Sequence, residues 1–314
     1  MRQTGQRRKM KLRIGNIFFR SSYRSSVLTG LVFAILLVLF GCGRSASIGD
    51  YGEFNGERAF QDVVFQEEMG ARYPGTVGHE QITTFITEEL RAAGWIVDRH
   101  EAEISGKEVI NLIASRDKGS EYLLLGAHYD NRIFADHDRL EGLRSNPVPG
   151  ANDGGSGVAV LLELARTLPD ELPNSIRLVF FDAEDNGGID DWDWILGSRA
   201  YVRDISPLPQ IAVILDMIGD ADLQIYYERN SDQLIREDIW RAADELGYEE
   251  IFIKQEKHSM LDDHTPFLEA GIPAVDIIDF DYPYWHTTED TADKVSSDSL
   301  QVVGDTITAW LLGY

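Results

Sequence analysis

The sequence has almost no cysteine. Cys42 is the single thiol in 314 residues, which excludes an intrachain disulfide and leaves packing and bound metal to stabilise the fold. Basic residues are also scarce, with 29 Lys and Arg against 53 Asp and Glu and a formal net charge of -24. Beyond residue 42 the imbalance sharpens, because the first 42 residues carry eight of the basic residues and no acidic one. So acidic a surface repels a phosphate backbone and excludes nucleic acid as a partner. It favours cationic ligands such as metal ions and peptide amines. Internal repeats, low-complexity tracts and long apolar runs are missing too, with one exception near the start.

That exception runs from Val27 to Phe40. Arg7, Arg8, Lys9, Lys11, Arg13, Arg20 and Arg24 precede it, and a basic lead followed by a short apolar core reads as an export signal. The ending Leu39-Phe40-Gly41-Cys42 resembles a bacterial lipoprotein signal, in which the cysteine is lipidated. An uncleaved anchor and a start at Met10 stay open as alternatives. The expected organisation is a signal or membrane anchor over 1–42, a polar tether over 43–56 and one domain over 57–314. That domain would be exported and held at a membrane by its lipid or anchor. Oligomeric state is left open.

Apolar periodicity predicts helices near 57–68, 80–93, 158–168, 232–246 and 299–312. Strands are expected at 95–102, 108–115, 122–127, 176–181, 211–215 and 274–278; 122–127 is an unbroken apolar run of the kind buried on both faces, and the same buried-strand pattern recurs in the last three. Buried strands alternating with helices predict an α/β fold, a three-layer α/β/α sandwich around a central, mostly parallel mixed sheet. Such sheets bind ligands at the carboxyl ends of their strands.

Those ends are occupied by polar residues. The third strand runs into His128-Tyr129-Asp130, the fourth into Asp182-Ala183-Glu184-Asp185, the fifth into Asp216, and the sixth leads to Trp285-His286-Thr287. A glycine-rich turn, Pro149-Gly150-Ala151-Asn152-Asp153-Gly154-Gly155-Ser156-Gly157, adds Asp153 ahead of a helix. Carboxylates gathered at one place repel each other unless protonated or neutralised by a cation. Histidine and carboxylate donors suit Zn2+.

This ordered set, with Leu215-Asp216-Met217-Ile218-Gly219 and Phe180-Phe181, resembles the zinc aminopeptidase and glutaminyl-peptide cyclotransferase superfamily over about residues 57–314. The resemblance implies a zinc enzyme acting on the N-terminal segments of peptides or proteins. In the cyclotransferases one zinc would be held by Asp153, Asp185 and His286. Glu184 would move a proton as an N-terminal glutamine closes to pyroglutamate and releases ammonia, supported by Asp216 and Asp262. In the aminopeptidases a second ion would be held by His128 and Asp216, with Asp153 bridging, and the first peptide bond would be hydrolysed with Glu184 as general base. Trp285 directly before His286, the acidic pair in Leu261-Asp262-Asp263-His264-Thr265-Pro266-Phe267, and Trp192 and Trp194 in a long loop favour a glutaminyl cyclase, the tryptophans lining the substrate pocket. Asp185 stands where the family usually has glutamate, so its shorter arm needs a small backbone shift to reach a metal.

Plainer structural roles compete for several of these residues. Asp153 could cap the following helix, and Asp262 and Asp263 the short helix after them. Trp192 and Trp194 could be half-buried loop anchors. His264 reads as a packing histidine. Asp136-His137-Asp138 has metal-type side chains but nothing to fix their geometry, and His79, His100 and His258 receive no role.

Overall fold

Six strands hydrogen-bond into one sheet in the order β1-β2-β4-β3-β5-β8. They are β1 (Ile96–Ile104), β2 (Lys107–Ser115), β3 (Leu123–His128), β4 (Ile176–Phe181), β5 (Ile211–Asp216) and β8 (Ala274–Ile278). The pairs β1/β2 and β2/β4 are antiparallel, whereas β4/β3, β3/β5 and β5/β8 are parallel. This is the expected mixed sheet. A separate two-stranded ribbon pairs β6 (Ile225–Tyr227) with β7 (Phe252–Glu256). The computed structural model describes residues 52–116 and 119–313; the signal or anchor over 1–42 and most of the tether lie outside them. Among the described residues no helix is long and apolar enough to cross a membrane.

Side-chain alternation along the central strands builds two cores. Leu123, Leu125 and Ala127 of β3, Leu178 and Phe180 of β4, and Val213 and Leu215 of β5 share one cluster. That face is covered by α1 (Gly56–Glu68), α2 (Val77–Ala92), α3 (Gly155–Thr167), α5 (Gln233–Leu246) and α7 (Ser297–Leu312). The intervening residues Leu124, Val179, Phe181, Ala212 and Ile214 face the other way. There they meet Tyr201 of α4 (Leu196–Asp204) and Phe267 of α6 (Thr265–Glu269). Strands buried on both faces need apolar side chains at nearly every position; Arg177 of β4, whose guanidinium lies over the Tyr122 ring, and the buried Asp276 of β8 are exceptions.

Several boundaries differ from the periodic reading for local reasons. Helix α2 starts at Val77 because the Thr76 side chain accepts the His79 N–H. Helix α3 starts at Gly155, inside the glycine-rich motif, and its closeness to the sheet explains the glycines. A Cβ on Gly157 would lie 2.2 Å from the Leu215 carbonyl oxygen. The short elements α4, α6, β6 and β7 carried too few periodic positions to be expected.

From β3 the chain moves to β4 on one side, then returns to β5 on the other. Their carboxyl ends therefore flank a topological switch point, where a crevice opens.

Candidate active site at the strand ends

His128 is the last residue of β3 and Asp216 the last of β5. Glu184 and Asp185 follow β4 after a sharp turn, and His286 lies in the loop after β8. Three non-glycine residues at these exits have left-handed backbone: Ala183 (φ 52°), Met217 (φ 46°) and His286 (φ 58°). Such conformations cost about 1–3 kcal/mol each and persist where surrounding contacts enforce them.

Those contacts are visible. Asp130 accepts the Glu184 N–H at 3.0 Å and the Asp185 N–H at 3.4 Å. Asp290 does the same for the other turn, accepting from Asn152 N at 2.9 Å, Asp153 N at 3.1 Å and the Tyr282 hydroxyl at 2.7 Å. Buried Arg72 donates to the carbonyls of Gly150 at 2.6 Å and Pro149 at 3.0 Å. Arg72 and Asp290 were not singled out in the sequence, and neither belongs to a motif. Their signal is only a charged residue fully buried in the fold. His79, left without a role, binds Asp182 Oδ1 at 2.9 Å.

Asp153 does not cap α3; the capping position is Gly154, without a side-chain bond. Its carboxylate is free to join two histidines. Oδ1 lies 3.2 Å from His128 Nε2, and Oδ2 lies 3.8 Å from His286 Nε2. His128 Nε2 is also 3.2 Å from Asp216 Oδ1, and His286 Nε2 is 2.8 Å from Asp185 Oδ1. Asp185, despite its shorter arm, reaches the same histidine nitrogen that Asp153 faces.

Among the described residues four clusters have metal-type ligand atoms within 4.8 Å of one another; Asp153/Asp185/His286 and His128/Asp153/Asp216, both buried, share Asp153, while Asp136/His137/His286, more exposed, and Asp262/His264/Asp276 are the others. The chemistry of the first set fits a zinc ion. Asp153 Oδ2 is buried without a hydrogen-bond partner, and burial pushes the His286 imidazole down to about 3, so it stays a neutral ligand. Burial, then the charge of Asp153, pushes Asp185 well above the usual carboxylate range. Burial likewise raises Glu184, with Asp185 and Asp262 adding to the effect. Asp153 is held low against its own burial by His128, with His286 and Arg132 adding to the effect. Uncompensated negative charge at this spot is what a divalent cation removes.

These groups floor a cavity of about 210 Å³, lined by Asp153, Glu184, Asp185, Asp216, Asp262 and His286 and walled by Trp194, Met217, Met260, Leu261, Ile278, Phe280 and Trp285. The Trp285 ring stacks on His286 at 3.7 Å, and Trp194 lies parallel to the same imidazole at 6.1 Å. Trp192 is not in the wall. It packs beside Val109, Ala183 and Leu196, with the Lys107 ammonium 4.4 Å from its ring centroid.

Neither Asp262 nor Asp263 caps α6, whose capping residue is His264 without a side-chain bond. His264 is fully buried between Glu228 at 3.6 Å and Asp276 at 3.7 Å, and neither ring nitrogen is hydrogen-bonded. Burial lowers His264 to about 4 and pushes Asp276 well up, so this deeper group can remain neutral.

The sequence pattern of Peptidase family M28 matches residues 108–311, well over half of the chain and every residue that lines the cavity. The chain belongs to that family. Among relatives, Aminopeptidase YwaD of Bacillus subtilis (strain 168) is 32% identical over 209 residues, 61% of this chain and 41% of its own length. The chain thus spans less than half of that relative. A Zn-dependent exopeptidase from Parabacteroides distasonis ATCC 8503 superposes with a TM-score of 0.79 at 31% identity, covering 84% of this chain and all of that one. A glutaminyl cyclase from Tannerella forsythia superposes at 0.78 with 33% identity, again over 84% and 100% of the two chains. Within this M28 enzyme family, relatives of both chemistries match the same fold.

Proposed function

We propose that this M28 protein is a zinc-dependent glutaminyl-peptide cyclotransferase, closing the N-terminal glutamine of peptides to pyroglutamate with release of ammonia. The observation that carries the reading is the small cavity whose walls are two indoles against His286 and whose floor holds Glu184 beside Asp262. A slot of this size suits one side chain curled back on its own α-amine better than an extended peptide.

Asp153, Asp185 and His286 would hold one zinc, which when bound supplies Lewis acidity towards the glutamine side-chain carbonyl. The remaining work falls to the chain. Trp285 and Trp194 hold the side chain in a near-attack ring and exclude water, so the substrate's amine is the nucleophile. Glu184, whose proton affinity is raised by burial, takes the proton that the amine loses and returns it to the departing nitrogen. Asp262 and Asp216 line the same cavity, and the charge of Asp262 adds to the burial that raises the proton affinity of Glu184.

The chemistry fits an exported protein tethered through residues 1–42, acting on the N-terminal segments of peptides or proteins. A second reading is an aminopeptidase, favoured by the second donor set of His128, Asp153 and Asp216. Turnover in oxygen-labelled water separates them. Cyclisation consumes no water, so pyroglutamate carries no label; hydrolysis puts label into the released product.

A further inference from the structure

His286 presents Nε2 to Asp185 and Asp153, but its other nitrogen has no partner. Nδ1 is buried and unbonded, and the atom facing it is Asp136 Oδ1 at 3.7 Å. Asp136 is itself fixed. Arg132 grips it through two parallel bonds, Nε to Oδ1 at 2.8 Å and Nη2 to Oδ2 at 2.7 Å. The same guanidinium donates from Nη1 to the Asp185 carbonyl at 2.6 Å and lies 5.0 Å from the Trp194 ring centroid. One residue further along, the His137 N–H donates to the His286 carbonyl at 3.2 Å. A single loop segment, 132–137, therefore touches both residues that pair at the metal position.

We propose that Arg132 and Asp136 form the outer clamp of the metal site, a positioning pair that acts through His286 and Asp185. Asp136 is the acceptor placed to take the Nδ1–H of His286, its Oδ1 standing 3.7 Å from that nitrogen in this structure. That contact fixes the tautomer with Nε2 as the free donor and sets the plane of the ring. Without it, the strained backbone of His286 (φ 58°) would carry a ring oriented only by stacking on Trp285 and by its Nε2 contact with Asp185. Arg132 holds Asp136 in place and restrains the Asp185 backbone, so one guanidinium registers both ligands against each other. The two-point grip requires the planar fork of arginine, which lysine lacks.

This inference rests on the assignment of Asp153, Asp185 and His286 as zinc ligands, and not on which reaction the metal serves. Zinc affinity by chelator competition tests it on the full chain, alongside thermal melting with and without zinc. The Asp136 side chain is 40% exposed but its partner Arg132 is buried, so Asp136→Asn, which keeps an acceptor for the guanidinium, is the variant that perturbs the fold least. Asp136→Ala and Asp136→Asn are expected to weaken zinc binding about 10–100-fold, with Asp136→Glu recovering part of the loss. Arg132→Lys weakens it in the same direction. For Asp136→Asn the zinc-induced rise in melting temperature shrinks by more than the melting temperature of the metal-free form falls. The clamp is overturned if Asp136→Ala binds zinc within about twofold of wild type while Asp185→Ala loses it, or if metal-free melting falls by as much as zinc-loaded melting. Zinc retained by Asp185→Ala would overturn the ligand assignment itself.

Discussion

His128 and Asp216 end neighbouring parallel strands and meet at 3.2 Å between Nε2 and Oδ1. Although burial opposes it, contacts with Asp130, Asp153 and Asp216 hold the His128 imidazole well above its ordinary range. With His128 protonated between two carboxylates, an ion entering the second donor set would have to displace that proton. Zinc-reconstituted protein is accordingly expected to carry one ion per chain by atomic spectroscopy. Two ions per chain would instead favour the peptidase chemistry.

Glu184 faces the cavity and is not a ligand in the set of Asp153, Asp185 and His286. Glu184→Gln keeps the shape and removes the proton carrier, so turnover should fall by about 10²–10⁴-fold. Zinc content and melting temperature should stay at wild-type values. Loss of zinc together with activity would place Glu184 among the ligands and contradict the role given to it here.

Gly157 sits in the first turn of α3, where alanine ordinarily improves a helix. Here the added Cβ would fall 2.2 Å from the Leu215 carbonyl oxygen. Gly157→Ala is expected to destabilise the fold by about 1–3 kcal/mol, in the range of overpacking substitutions. Denaturant unfolding measures the sign, and a more stable variant would show that α3 does not rest on β5 this closely.

His264 gives a pH dependence with a definite sign. Burial lowers its folded-state value to about 4 from an ordinary 6.5, so between those values the unfolded chain binds the extra proton. Its contribution is present in full above about pH 6.5 and is lost as pH falls towards about 4, by roughly 1.4 kcal/mol per pH unit for one proton. Unfolding of metal-free protein at several pH values should show a slope that His264→Gln reduces by about one proton. An unchanged slope would mean that His264 is already protonated in the fold.

The sequence made the site legible where a strand end and a ligand coincide. His128, Glu184, Asp185 and Asp216 each follow an apolar run, and Asp153 stands in a turn bounded by Gly150 and Gly154, both with left-handed backbone. Trp285 and Trp194 were read for the cavity wall and stand in it, whereas Trp192, two residues from Trp194, faces the other side of its loop. Asp290 and Arg72 escaped notice because they act on backbone groups far away in sequence, and Asp136, weighed there as a metal-type side chain, was set aside because no pattern showed that Arg132 grips it. Asp290 reaches back to Asp153 and Arg72 forward to Gly150, and no periodicity records a hydrogen bond over such a separation. The start of α3 was hidden for a related reason, since glycines that read as a loop are there to bring a helix onto a strand.

The central claim is that the bound substrate's own amine, rather than water, attacks at this site. Two peptides that differ only in their first residue, glutamine or leucine, incubated with the zinc-loaded chain and followed by mass spectrometry, test it most directly. The account predicts that the glutamine peptide loses the mass of ammonia faster than the uncatalysed background while the leucine peptide is unchanged. Release of free leucine, with the glutamine peptide closing no faster than background, would contradict it.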